Sequence, residues 1–160
     1  MSYQYQPAAG WTPPGAEFQT GGGFSRFLIG ALLCLVLTPI GLGFAAHGAA
    51  GAQRWLPQGD TADRYGAAAQ ILSGAVLLLL VAGLAAYSAA GPIIAGLVWG
   101  IAPGVLYFLF PADTYRRLTE LPLLPDTTLL AVHAWVLNGS VFLTGMLLIG
   151  AGAAATLRRR

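Results

Sequence analysis

The sequence contains no lysine, and charged residues make up only 9% of its 160 positions. A soluble domain usually carries about 25% charged residues. Together with a mean hydropathy of +0.68, this shortage of charge excludes an ordinary soluble fold and predicts an integral membrane protein. The eight basic residues are all arginines and form no basic face, so nucleic-acid binding is excluded. Arginine without lysine, among abundant alanine and glycine, favours a bacterial source.

Charge is absent from three long intervals of the chain. The longest lies between Arg64 and Asp113, and it is long enough for two membrane-spanning helices and a turn at 88–92, where Gly91 and Pro92 interrupt the helical pattern. We therefore expect an all-α protein, with four transmembrane helices in a small bundle at about 27–46, 67–87, 93–110 and 129–155. The four-helix domain covers 26–160.

The first 25 residues differ in composition from the rest of the chain. They are rich in Gln, Pro, Gly and Tyr and nearly free of aliphatic side chains, which predicts a disordered tail, with aromatic residues available to touch a partner or lipid. An alternative is a cleaved signal peptide around the first apolar run, followed by the small residues of 45–52; this alternative leaves three spans. The single cysteine, Cys34, excludes an internal disulfide.

The placement of arginine predicts the orientation. Three arginines close the chain directly after the last span, and the arginines of the outer loops are mixed with acids. The positive-inside rule then favours a multi-pass protein of the cell membrane with both termini in the cytoplasm.

The two outer loops carry candidate membrane anchors. Arg54 and Trp55 suit the headgroup layer. Asp60 is the expected N-cap of the second span, with Asp63 in its first turn. The segment 113–121 predicts a short amphipathic helix lying flat on the membrane, with Asp113 pairing with Arg117, and Arg116 with Glu120.

Small residues repeat along two of the predicted spans. Gly96, Gly100 and Gly104 recur at intervals of four, and Gly30, Cys34 and Gly41 form a similar stripe on the first span. Such stripes let another backbone approach closely. They predict either packing within the bundle or docking against a neighbouring subunit or a second copy. Pro39 and Pro103 each remove a backbone donor and predict kinks.

Two histidines are the candidates for chemistry. His47 follows the first span and His133 lies near the outer end of the fourth, so the topology brings them to similar depth. A pair of imidazoles can ligate haem, copper or another transition metal, or relay protons to a quinone. Ser140 and Thr144 extend the polar face of His133. The alternative is that both histidines are structural, because no metal-ligand spacing motif accompanies them.

No catalytic signature accompanies these features in the sequence. We therefore expect a non-enzymatic accessory, structural or assembly subunit of a larger bacterial envelope complex. Its expected partners are the lipid bilayer and other membrane subunits or a second copy of itself, and no resident cofactor is expected. The alternatives are a haem- or metal-binding or quinone-linked electron-transfer subunit that uses His47 and His133, and a small transporter or channel.

Overall fold

The computed structural model describes residues 23–58, 63–119 and 125–158, and regular structure in these ranges is entirely helical. Four helical stretches are long and apolar enough to cross a membrane: Phe24–Ala52, Arg64–Ala86, Ala90–Leu109 and Ser140–Leu157. The expectation of four apolar helices is confirmed. Most of the expected tail, 1–22, lies outside the described residues, and its last three residues belong to the first helix.

The first two spans pack along a line of small residues. Helix α1 covers Gly23–Ala52, and helix α3 covers Arg64–Gly83 and continues as a 3₁₀ turn, Leu84–Ala86; the short helix α2, Trp55–Gln58, lies between them. A Cβ added at Gly74 would lie 2.5 Å from the Ala45 nitrogen, and one added at Gly48 would lie 2.7 Å from the Ala67 carbonyl. The two backbones are therefore in direct contact, which only small residues permit.

The third span is a composite helix. It consists of α4, Ala90–Gly96, a π-helical turn, Leu97–Ile101, and α5, Ala102–Leu109. The π-helical turn ends where the Ala102 amide donates to the Leu97 carbonyl, directly before Pro103. Such single π-helical turns occur inside α-helices, often at points where the helix is kinked.

A hydrogen bond between spans compensates for Pro39 in α1. Because proline has no N–H, the Leu35 carbonyl four residues earlier loses its helical donor. The Trp99 indole Nε1, carried on the π-helical turn of the third span, donates to this carbonyl at 2.9 Å. The first and third spans are thus joined where α1 lacks its own bond.

The expected fourth span, 129–155, is divided into two helices. Helix α7 covers Asp126–Leu137 and helix α8 covers Ser140–Leu157. Gly139 between them has φ +77°, and the Ser140 amide donates to Asn138 Oδ1 at 3.1 Å. A glycine in the left-handed conformation and an Asn side chain that accepts from the amide two residues later interrupt the helix here, although the residues on both sides are apolar.

The start of α1, the end of α8 and the turn at 87–89 lie at one end of the bundle. A Cβ at Gly30 would meet Ser88, and one at Gly152 would lie 2.6 Å from the Ala89 carbonyl. The Arg26 guanidinium lies over the Tyr87 ring, 5.9 Å from its centroid. We call this the Arg26 end. The opposite end holds the end of α1, the start of α3, and helices α6, Pro111–Thr119, and α7.

Candidate functional site

A cleft of about 300 Å³ opens at the end of the bundle opposite Arg26. It lies between the last turns of α1, the first turns of α3 and the start of α7. We call it the polar cleft, and its lining residues are His47, Ala50, Gly51, Arg54, Asp63, Gly66, Ala67, Gln70 and Thr127. A guanidinium, a carboxylate, an imidazole, an amide and a hydroxyl therefore surround one small volume.

Helical periodicity explains why these side chains converge. On α1, His47 and Gly51 lie one turn apart and share a face, and Arg54 lies in the turn that follows α1, where its amide donates to the Gly51 carbonyl at 3.1 Å. On α3, Asp63 and Gln70 are separated by two turns and also share a face. Gly51 and Ala67 also line the cleft and pack against each other, since a Cβ added at Gly51 would lie 3.0 Å from the Ala67 Cβ.

His47 is tied to α7. Its Nδ1 lies 3.1 Å from the Thr128 hydroxyl oxygen, and the bond is partly buried. Because Thr128 lies next to Thr127, this bond holds the α7 wall of the cleft against α1. The other ring nitrogen of His47, Nε2, can be a donor or an acceptor toward a ligand, depending on which ring nitrogen carries the proton.

Asp63 is the N-cap of α3, a role the sequence assigned to Asp60, which lies outside the described residues. The Gly66 amide donates to Asp63 Oδ1 at 2.8 Å. A Cβ on Gly66 would overlap Asp63 Oδ2, so the glycine makes room for the carboxylate. The cap therefore fixes the acid at the rim of the cleft.

The distance along α1 from Arg26 to the cleft is close to the thickness of a bilayer's hydrocarbon core. His47 lies 21 positions after Arg26 along α1, a rise of about 32 Å at about 1.5 Å per residue. The hydrocarbon core of a bilayer is about 30 Å thick. A bilayer with one hydrocarbon edge at Arg26 therefore has its other edge at the level of the polar cleft.

His133, the second candidate ligand, has different surroundings. Its ring meets the Tyr107 ring edge to face at 5.9 Å between centroids, and it does not line the polar cleft. Ser140 and Thr144 belong to α8, beyond the break at Gly139, so they do not continue the helix of His133. Within the described ranges, no group of three or more His, Cys, Asp or Glu side chains could hold a metal ion.

The glycines of the third span face α8. A Cβ at Gly96 would lie 2.6 Å from the Gly145 carbonyl oxygen, one at Gly100 would overlap the Gly145 Cα, and one at Gly104 would lie 3.0 Å from Phe142. We call the contact of Gly96 and Gly100 with Gly145 the glycine seam. These positions are thus occupied by packing within the chain.

The two stripe glycines of α1 also face neighbouring helices. A Cβ at Gly30 would lie 2.5 Å from Ser88 Cβ, and one at Gly41 would lie 3.3 Å from the Gly74 carbonyl. Cys34 lies between them on α1 and is fully buried, packed with Val81.

The expected anchors lie around the cleft end. Arg54 is exposed at the rim, and Trp55 is half-buried, its indole nitrogen having no hydrogen-bond partner within the described ranges. Arg116 and Arg117 lie exposed on α6. On α6 the Asp113 carboxylate lies 4.0 Å from Arg116, one residue before Arg117, its expected partner. Glu120 lies outside the described residues.

Sequence reasoning missed Gln70, Thr127 and Thr128. Gln70 carried a signal, since it is a polar side chain two turns after Asp63 within an otherwise apolar helix. The threonines carried none that could link them to His47, because that contact spans 81 positions of the chain. No protein-family model, curated protein or solved structure matches this chain.

Proposed function

We propose that this chain is a non-catalytic accessory subunit that helps to assemble a larger complex in the cell membrane, with both termini in the cytoplasm. The observation that carries the proposal is the unequal distribution of polar groups. Glycines bring the spans into close contact with each other, and the polar and charged groups able to recognise a partner lie at the cleft end.

Two features support recognition at that end. Helix α6 is charged and exposed, and it is fixed to the third span because the Thr114 amide donates to the Phe110 carbonyl at 3.0 Å. Helix α7 is held on α1 by the bond between His47 and Thr128. A partner would therefore meet a preformed surface, which lowers the entropic cost of association.

Tight internal packing favours this role over transport. The glycine seam brings the third span and α8 into backbone contact, and Cys34, Val81 and Ala95 are fully buried in the adjoining core. A transported solute would need polar groups near mid-depth. The polar cleft lies instead at one end of the bundle.

The test is site-specific photo-cross-linking in native membranes. A photoreactive residue replaces Ala112 on α6 in one full-length variant and Ala153 on α8, near the Arg26 end, in another; both positions are exposed. We expect Ala112 variants to cross-link to one membrane protein that also co-purifies in a fixed stoichiometric ratio. The Ala153 variants provide the matched control for lipid-exposed or random contact.

Two results would overturn the proposal. One is a monomeric protein without stoichiometric partners after extraction in a mild detergent. The other is equal cross-linking from both positions to many different proteins, since this would indicate collision and not assembly.

A further inference from the structure

The polar cleft places opposite charges on its two walls. Arg54, in the turn after α1, supplies a guanidinium, and Asp63 at the start of α3 supplies a carboxylate. We propose that the cleft binds a zwitterionic phosphoethanolamine group, with the phosphate at Arg54 and the primary ammonium at Asp63. This inference is independent of the assembly role.

The phosphate side of the cleft is rich in donors. Arg54 is exposed, and no described carboxylate lies within ion-pair distance of its guanidinium. A guanidinium offers a planar fork that binds two phosphate oxygens at once. The Thr127 hydroxyl on the α7 wall lines the same volume and can donate to a remaining oxygen, and the Gln70 amide, two turns after Asp63 on the α3 wall, can donate from the other side.

The ammonium side of the cleft is an oriented carboxylate. Asp63 Oδ1 accepts the Gly66 amide at 2.8 Å, which fixes the group. Oδ2 lies over Gly66, where the missing Cβ leaves room for it. A carboxylate held in this way keeps acceptor sites for an ammonium, and a phosphate alone would be repelled by it.

Size and position agree with a lipid headgroup. A volume of about 300 Å³ lies at the lower end of the usual range for small-ligand sites. The cleft lies about 32 Å along α1 from Arg26, at the level where hydrocarbon gives way to headgroups. The same chemistry is also presented by free phosphoethanolamine, so the test separates the two sources.

The test titrates the full-length protein in detergent with three probes. They are short-chain phosphatidylethanolamine, short-chain phosphatidylglycerol and free phosphoethanolamine, with dissociation constants measured by native mass spectrometry. We expect phosphatidylethanolamine to bind more tightly than phosphatidylglycerol. Binding of free phosphoethanolamine at similar strength would support recognition of the group itself, and its weaker binding would support recognition of the lipid.

Two variants probe the two walls separately. Arg54→Ala should weaken both lipids about tenfold, because a charge-assisted bond to phosphate is lost. Asp63→Asn keeps a good N-cap but removes the charge, so it should weaken phosphatidylethanolamine about tenfold and leave phosphatidylglycerol unchanged or tighter. Arg117→Ala is the matched control, since it removes an exposed arginine outside the cleft.

Three outcomes would overturn the proposal. They are equal affinity for both lipids in the unaltered protein, equal weakening by Arg54→Ala and Arg117→Ala, and a lipid preference that survives Asp63→Asn. Far-ultraviolet circular dichroism of each variant shows whether the helices remain folded, so that a loss of binding is assigned to the cleft.

Discussion

The glycine seam and the polar cleft use small residues in opposite ways. In the seam, Gly100 and Gly145 bring two backbones into contact, so that no space remains between the helices. At the cleft, Gly66 makes room for the Asp63 carboxylate, which a Cβ there would overlap. The same residue type therefore closes the contact between two helices in the middle of the bundle and accommodates a charged side chain at its end.

The difference depends on what surrounds each glycine. The seam glycines of the third span lie one turn apart and face the backbone of α8, where dispersion contacts favour close approach. Gly66 at the cleft faces the Asp63 carboxylate, a charged group that needs hydration or a partner. A substitution in the seam should therefore affect stability, and one in the cleft should affect recognition with a smaller effect on stability.

The largest expected effect tests the seam. Gly100→Leu should lower the free energy of unfolding by about 3 kcal/mol or more, because the added side chain overlaps the Gly145 backbone, which cannot move aside. Gly150→Leu is the matched control on α8, since a Cβ there has no atom within 4 Å. Denaturant titrations in mixed micelles, followed by circular dichroism, measure both. Equal losses in the two variants would contradict the seam.

At the cleft end, the cap of α3 should contribute less. Asp63→Ala removes the acceptor of the Gly66 amide and should cost about 1 kcal/mol. Asp63→Asn should retain most of that stability, because asparagine caps equally well. The same titration measures both variants, and an asparagine variant as unstable as the alanine variant would show that charge and not capping matters here.

The bond from Trp99 to Leu35 should contribute about 1 kcal/mol. Trp99→Phe removes the donor and leaves the Leu35 carbonyl without one. In a Pro39→Ala background the helix supplies its own amide to this carbonyl, so the cost of Trp99→Phe should fall. A double-mutant cycle on unfolding free energies measures the coupling, and strictly additive effects would exclude it.

The smallest expected effect concerns the α7 wall of the cleft. Thr128→Val removes the partner of His47 Nδ1 and should cost about 0.5 kcal/mol in stability. Hydrogen exchange at the start of α7 should increase, because this bond holds α7 on α1. Thr127→Val is the control, since it changes a neighbouring threonine that has no bond to His47. Equally faster exchange in both variants would show that the change does not depend on the bond to His47.

The sequence predicted that four long apolar helices are present, but it did not predict the polar cleft. Long uncharged intervals predicted the four apolar helices, because a membrane helix needs length and apolarity and little else. The break at Gly139 was missed although Asn138 and Gly139 form a common turn pair, because the apolar run around them is continuous. At this point the turn preference of Asn138 and Gly139 ends the helix, although the hydropathy of the surrounding residues favours one continuous helix.

The cleft depends on contacts that no local pattern encodes. The spacing of the polar residues in 47–54 and in 63–70 is a local helical pattern in each case. Whether the two sets face each other depends on the register of the two helices, which is set by the contact of Gly48 with Ala67. The third wall depends on the separate direction of α7, which follows from the break at Gly139. The sequence predicted only that the two histidines lie at similar depth. In the structure His47 contacts Thr128 and His133 contacts Tyr107.

The joint at Gly139 makes α7 a lever whose far tip forms a wall of the cleft. Thr127 lies 12 positions from Gly139, or about 18 Å along the helix, so a rotation of about 10° at the joint displaces that wall by about 3 Å. The position of that wall therefore depends on two features at opposite ends of α7, the torsion angles of Gly139 and the bond between His47 and Thr128 that holds the helix on α1.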